Sequence, residues 1–165
     1  MRASDTCGCS NPMVFKRAYT YLYIAKRRAC KVMNGKFIAS ANIERDELDW
    51  GTIGWLSRPE STGAKDIVAM EVSLSPGYGH DFHKHPDQEE VIYVIEGSVE
   101  QWLEDKKQTL NAGDSVFIPA DMVHASFNVS SESAKLFVTL SPSKGSEGYQ
   151  LIDVYDEAPW NTLRS

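Results

Sequence analysis

Beyond residue 33 the sequence has no cysteine, since Cys7, Cys9 and Cys30 all precede that point. The body of the chain therefore carries no disulfide framework, which fits a reducing, cytoplasmic setting. Cys7-Gly8-Cys9 lacks the second thiol pair at finger-like spacing that a structural zinc site needs. Long hydrophobic runs are missing too. The most apolar stretch of the leader, Ala18 to Ala25, is far short of a bilayer span and weak as a secretory core, so stable membrane insertion is not expected. Basic residues are scarce in the body: residues 1–33 carry a formal +6 and the remainder −12, for a total of −6. An acidic body is a poor binder of phosphate backbones, which excludes nucleic acid as the main partner. No internal repeat and no low-complexity tract is present.

What is there suffices for one ordinary core: 165 residues, 42% of them hydrophobic. Charge and cysteine usage both change near Met33. Residues 1–33 accordingly read as a basic, cysteine-containing, flexible N-terminal extension, and residues 34–165 as a single domain. A membrane-surface helix, with Lys16, Arg17, Lys26, Arg27 and Arg28 flanking aromatic residues, is the competing reading of the leader.

The body is patterned for strands. Asp66 to Leu74 alternates, placing Val68, Met70, Val72 and Leu74 on one face. "EEVIYVIE" and "SVEQWLE" flank Gly97, and "DSVFIP", "HASFNV" and "KLFVTL" follow, separated by turn-forming residues. Short strands at this spacing predict an all-β sandwich or barrel. "ERDEL" reads as a helical turn, and "WGTIGWL", with two glycines, as an edge strand or a ligand-closing arm.

Three of the four histidines fall within "GYGHDFHKHPDQEEVIYVIEG". His83 and His85 are two apart, so on a strand their side chains leave the same face. Glu90 opens the next apolar run and shares parity with Ile92 and Val94; if that run folds back, two imidazoles and a carboxylate converge. His124 joins from a distant segment, after a strand opened by Gly113 and ended by Pro119. Three neutral imidazoles and one carboxylate suit a divalent transition metal such as Fe, Mn, Zn, Ni or Cu, with coordination positions left for water or substrate. Taken singly, an HxH pair is more often a surface pair than a ligand set, and buried Glu is rare unless paired; the joint spacing makes the case.

That spacing resembles the two motifs of the cupin superfamily. The pattern G-x5-H-x-H-x4-E-x6-G is met by Gly77, His83, His85, Glu90 and Gly97, and G-x5-P-x-G-x2-H-x3-N by Gly113, Pro119, His124 and Asn128. One position departs: Asp121 stands where the second motif has glycine, and Asp enters the left-handed region at modest cost, so the turn is expected to survive. The resemblance covers a core of about residues 66–141. It implies a double-stranded β-helix, or jelly roll, with His83, His85, Glu90 and His124 as metal ligands inside one open end, and it implies a homodimer. Glu89 points to the opposite strand face, His80 reads as a solvent-exposed loop residue, and Gly77, Gly79 and Gly97 read as turn residues.

By parity the barrel-lining, substrate-binding candidates are Met70, Ile92, Val94 and Met122, together with Val72 and Ser126; Trp102, Phe117 and Phe137 have no assigned side. Val91, Tyr93 and Ile95 form an outward apolar strip that needs a cover, from residues 37–56 or from a second subunit. The expected function is a metal-dependent enzyme, dioxygenase-like first and isomerase, lyase or decarboxylase otherwise, acting on a small organic molecule. Tyr93, Glu104 and Asp81 are nominal general-base candidates. The competing class is a non-catalytic small-molecule-binding or sensor module. No Arg or Lys cluster sits near the histidines, which favours an apolar or neutral polar ligand.

Overall fold

The computed structural model describes residues 35–164. The extension expected over residues 1–33, with its cysteines, lies outside them. The described chain forms β1 (Glu44–Leu48), β2 (Gly51–Ser57), β3 (Val68–Leu74), β4 (Gly79–Lys84), β5 (Glu89–Glu96), β6 (Ser98–Leu103), β7 (Lys106–Asn111), β8 (Ser115–Ile118), β9 (His124–Phe127), β10 (Ala134–Ser141) and β11 (Ile152–Asp153), plus a short helix, α1 (Pro59–Thr62). Six strands make one sheet in the order β1-β2-β3-β10-β5-β8 and five make a second in the order β11-β4-β9-β6-β7, with every pairing antiparallel. The result is an all-β jelly roll of the double-stranded β-helix kind.

Period-2 alternation builds the interior. Val68, Met70, Val72 and Leu74 of β3 are buried together with Ile92 and Val94 of β5 and Leu136, Val138 and Leu140 of β10. The second sheet contributes Val99 and Leu110 to the same core. Its outward residues Phe82, Trp102, Ala125 and Phe127 form a separate apolar cluster, against which Trp160 and Leu163 pack from the C-terminal segment. Trp102 thus belongs to this outer layer.

The outer face of the six-stranded sheet is bare by contrast. Val91, Tyr93, Ile95 and Phe117 are 37, 43, 44 and 54% exposed, and Tyr93 pairs with Phe137 of β10 across the sheet. Residues 37–56 do not cover this strip: β1 and β2 extend the sheet from the far side of β3. "ERDEL" is a strand and not a helical turn. All five of its residues are exposed, so no apolar alternation marks it, yet it completes the hydrogen bonding of β2. β2 in turn lies inside the sheet, not at its edge, with Ile53 and Trp55 buried.

Two glycines have distinct reasons. Gly97, at φ 77°, turns β5 into β6. Gly79 is no turn residue: it sits in β4, where a Cβ would lie 2.4 Å from the Phe127 ring and 2.5 Å from the Ser126 carbonyl, so only glycine admits this approach of β4 to β9. Asp121 adopts φ 64°, the turn survives, and its carboxylate meets Lys84 Nζ at 2.7 Å.

Candidate metal centre

Both sheets supply the site. β4 carries His83, directly opposite His124 of β9, and His85 follows one residue past the end of β4. Glu90 comes from β5 in the facing sheet. His83, His85, Glu90 and His124 are all at least 95% buried, and one ligand atom from each lies within 4.8 Å of every other.

The hydrogen bonds fix which ring nitrogen faces inward. His83 Nδ1 meets the Asp81 carbonyl at 2.6 Å, His85 Nδ1 the Gln150 carbonyl at 2.5 Å, and His124 Nδ1 the Met122 carbonyl at 2.9 Å. A carbonyl can only accept, so each Nδ1 carries a proton and donates it. In the neutral rings every Nε2 is then a lone pair. The His124 and His85 Nε2 atoms lie 2.8 and 3.4 Å from Glu90 Oε2. Glu90 Oε2 and His124 Nε2 are buried without a hydrogen-bond partner. Several acceptors turned toward one another in a dry pocket are costly unless something positive lies among them. The donor set therefore fits a divalent cation, with each imidazole oriented by a backbone carbonyl behind it.

The electrostatics agree. Burial pushes the Glu90 carboxyl up, but the electrostatic pull of the His124 and His85 rings beside it outweighs this and holds the group well below the ordinary carboxylate range. Burial pulls the His124 imidazole down, yet Glu90 more than reverses this and raises it. Burial, reinforced by the neighbouring imidazoles, drives His83 well below the ordinary histidine value.

Around these four side chains lies a cavity of about 40 Å³, room for a few water molecules. Met70, Val72 and Ile92 line it as parity predicts, as does Ser126, whose hydroxyl donates to Gln101 Oε1 at 2.6 Å. Val94 and Met122 do not: Val94 lies deeper along β5 in the closed core, and Met122 packs half-buried against the core beside the site. His80 is a correction to the sequence reading. It belongs to β4, not to an exposed loop, and its ring is stacked between Trp50 (4.9 Å) and His83 (3.9 Å). Burial, together with His124 and His85, lowers its pKa to about 4 against the opposing pull of Glu90.

Beyond Trp50, His80 and Tyr149 a groove of about 460 Å³ runs outward, flanked by Tyr155, Asp81 and Asp153. No Lys or Arg lines the cavity or this groove among the described residues. The nominal bases fall outside the cavity. Tyr93 is on the bare outer face, Asp81 lines only the outer groove and accepts from the Phe82 amide, and Glu104 accepts from the Val123 amide at 3.2 Å. The cavity's titratable groups other than the four are His80 and Tyr149. Tyr149, Gln88 and Gln150 went unnoticed in the sequence, because they reach the site through contacts some sixty residues apart that no local pattern announces.

Comparison with known proteins follows the same line. The cupin domain family model matches residues 70–140. The chain is 32% identical over 110 residues to polyketide synthase CurC of Streptomyces cyaneus, covering 67% of this chain and 71% of that protein. It is 28% identical over 100 residues to the pectin degradation protein KdgF of Dickeya dadantii, covering 60% of this chain and 90% of that one. Among solved structures, the polyketide cyclase RemF from Streptomyces resistomycificus superposes with a TM-score of 0.61 at 22% identity, over 76% of this chain and 90% of that one.

Proposed function

The chain belongs to the cupin superfamily, and from that premise we propose that it is a metal-dependent enzyme acting on a small, neutral organic molecule. His83, His85, Glu90 and His124 would hold the ion. The observation that carries this reading is the convergence of carbonyl-oriented imidazoles on a carboxylate whose buried oxygen has no hydrogen-bond partner. A divalent transition metal there supplies Lewis acidity toward a substrate oxygen and, if it is iron, redox chemistry with dioxygen.

The chain's own residues then have separable tasks. The cavity takes only the reacting end of a substrate, so the remainder lies in the outer groove against Trp50, His80 and Tyr149. The absence of cations from that lining favours an uncharged body over a phosphate or dicarboxylate. Neutral His80 has a vacant acceptor capacity, and Tyr149, whose phenol is raised by burial and by Asp46 and Glu147, keeps its proton to donate. The names of the relatives, a polyketide synthase protein, a polyketide cyclase and a pectin degradation protein, support turnover of organic substrates over passive storage.

We further propose that a second copy covers the bare strip of Val91, Tyr93, Ile95 and Phe117, which is more apolar surface than one strand ordinarily leaves in water. The test of function is elemental analysis of protein purified without chelators or an affinity metal, beside the Glu90→Ala variant. Near-stoichiometric transition metal that disappears in the variant is expected, and iron would direct the search to oxygen-consumption assays. No metal in either protein, even after reconstitution, overturns the proposal in favour of a binding module.

A further inference from the structure

The three imidazoles are not held in the same way. The Nδ1 partners of His83 and His124 are the carbonyls of Asp81 and Met122, each two residues back along the chain, Asp81 within β4 and Met122 just ahead of β9, so these rings are oriented by their own local backbone. His85 lies past the end of β4, and its partner is the carbonyl of Gln150, 65 residues away in a segment between β10 and β11 that belongs to no strand. Something must hold that carbonyl in place.

We propose that Gln88 is the positioning residue for His85, acting through the 142–150 loop; the proposal rests on the reading of His85 as a metal ligand. The Gln88 side chain is 1% exposed and both of its polar atoms bond to this loop. Its Nε2 donates to the carbonyls of Pro142 at 2.7 Å and Gly148 at 3.0 Å, and its Oε1 accepts from the Gln150 amide at 2.7 Å. Gln150 is thereby held through both of its backbone polar groups, its N–H by Gln88 and its carbonyl by His85. The circuit closes through the backbone, since the Gln88 amide donates to the His85 carbonyl at 3.4 Å.

Only a carboxamide of this length offers two donors and an acceptor at once. Leucine would orphan the Pro142 carbonyl and the Gln150 amide, leaving the Gly148 carbonyl only its bond from the Lys144 amide, and glutamate would keep the acceptor for Gln150 but turn a second oxygen toward two carbonyls. Tyr149 sits between the two anchored residues, with its ring 6.0 Å from that of His85, so the same clamp sets one wall of the cavity.

The test uses the full chain with Gln88→Leu and Gln88→Glu, and reads two signals. Long-range 1H–15N spectra of the imidazoles in metal-free protein at neutral pH report each ring's tautomer. His85 is expected as the Nδ1-protonated form in the parent and as an average of both tautomers in Gln88→Leu, while His83 is unchanged. Cobalt(II) titration is expected to give about 10–100-fold weaker binding in Gln88→Leu, the range typical of groups that orient a ligand from behind, with Gln88→Glu intermediate. Should Gln88→Leu not fold, Gln88→Glu decides alone. An unchanged His85 tautomer with cobalt affinity within twofold of the parent overturns the inference. A parent that binds no cobalt sinks the metal reading instead, and the tautomer still decides whether Gln88 orients His85.

Discussion

The two ends of the barrel interior are built from the same strands and do opposite things. Along β5, Glu90 stands at the open end and Val94 four residues deeper, both inward and both buried. Around Val94 the closed end presents only carbon: Val99 and Ala134 are wholly excluded from solvent and Leu110 nearly so. Around Glu90 the open end collects three imidazoles and an oxygen without a hydrogen-bond partner. The closed end supplies the free energy of folding, and the open end gives up part of it to gather buried polar groups that could hold a cation.

Truncation separates the two ends most sharply. Leu110→Ala should lower stability by about 2–5 kcal/mol in denaturant titration while leaving metal per folded molecule unchanged; a matching loss of metal would show that the ends are not independent. His124→Ala should do the reverse, with bound metal falling to background in elemental analysis and the β-rich circular dichroism spectrum kept. Metal retained in that variant would remove His124 from the ligand set.

Acid titration sharpens the contrast further. In metal-free protein the folded pKa values of His80 and His83 lie below the ordinary 6.5, so the unfolded chain binds their protons first and stability falls as pH drops from 6.5 toward about 4. His124 acts in a different window: its raised pKa adds stability that is fully present below 6.5 and is lost as pH rises through its folded value. Glu90 contributes fully above 4.5 and is lost only under stronger acid. Below 6.5 the slope is therefore set by the two lowered imidazoles, at most about 1.4 kcal/mol per pH unit for each excess proton. Leu110→Ala should shift this curve down without changing its slope, whereas His80→Gln should flatten it; an unaltered slope in His80→Gln would place the acid sensitivity elsewhere. The smallest expected effect is on the outer face. Tyr93→Glu should halve the mass in light scattering while changing monomer stability by no more than about 0.5 kcal/mol, and an unshifted mass would count against that face as a contact between copies.

The strands and the His83, His85 and Glu90 part of the site were legible because both are written locally, whereas His124, in a distant segment, was legible only through the second motif. Alternation marks β3 and β5, and HxH with a glutamate five residues on is a short-range pattern. Depth along a strand was not legible: parity places Val94 with Ile92, and only the packing shows that the cavity stops short of it. β1 escaped because a fully exposed strand needs no apolar period, and its existence is dictated by the hydrogen-bonding groups of β2. His80 was misjudged because its glycine-rich neighbourhood suggested a turn, whereas Gly79 is there to let two strands touch. The clamp of Gln88 on Pro142, Gly148 and Gln150 joins residues more than fifty positions apart, and nothing near Gln88 in the chain hints at them.

The stack of Trp50 on His80 on His83 joins an indole at the mouth to one of the four convergent side chains at the centre. It makes the protein its own optical gauge. Filling or emptying the centre changes the electron demand on His83, and a ligand sliding into the groove changes the surface against Trp50, so both events should register in the emission of one native fluorophore. The other tryptophans, Trp55, Trp102 and Trp160, form no part of this stack. Difference spectra against Trp50→Phe would isolate the signal, and occupancy could then be followed in real time without a label or an assumed substrate.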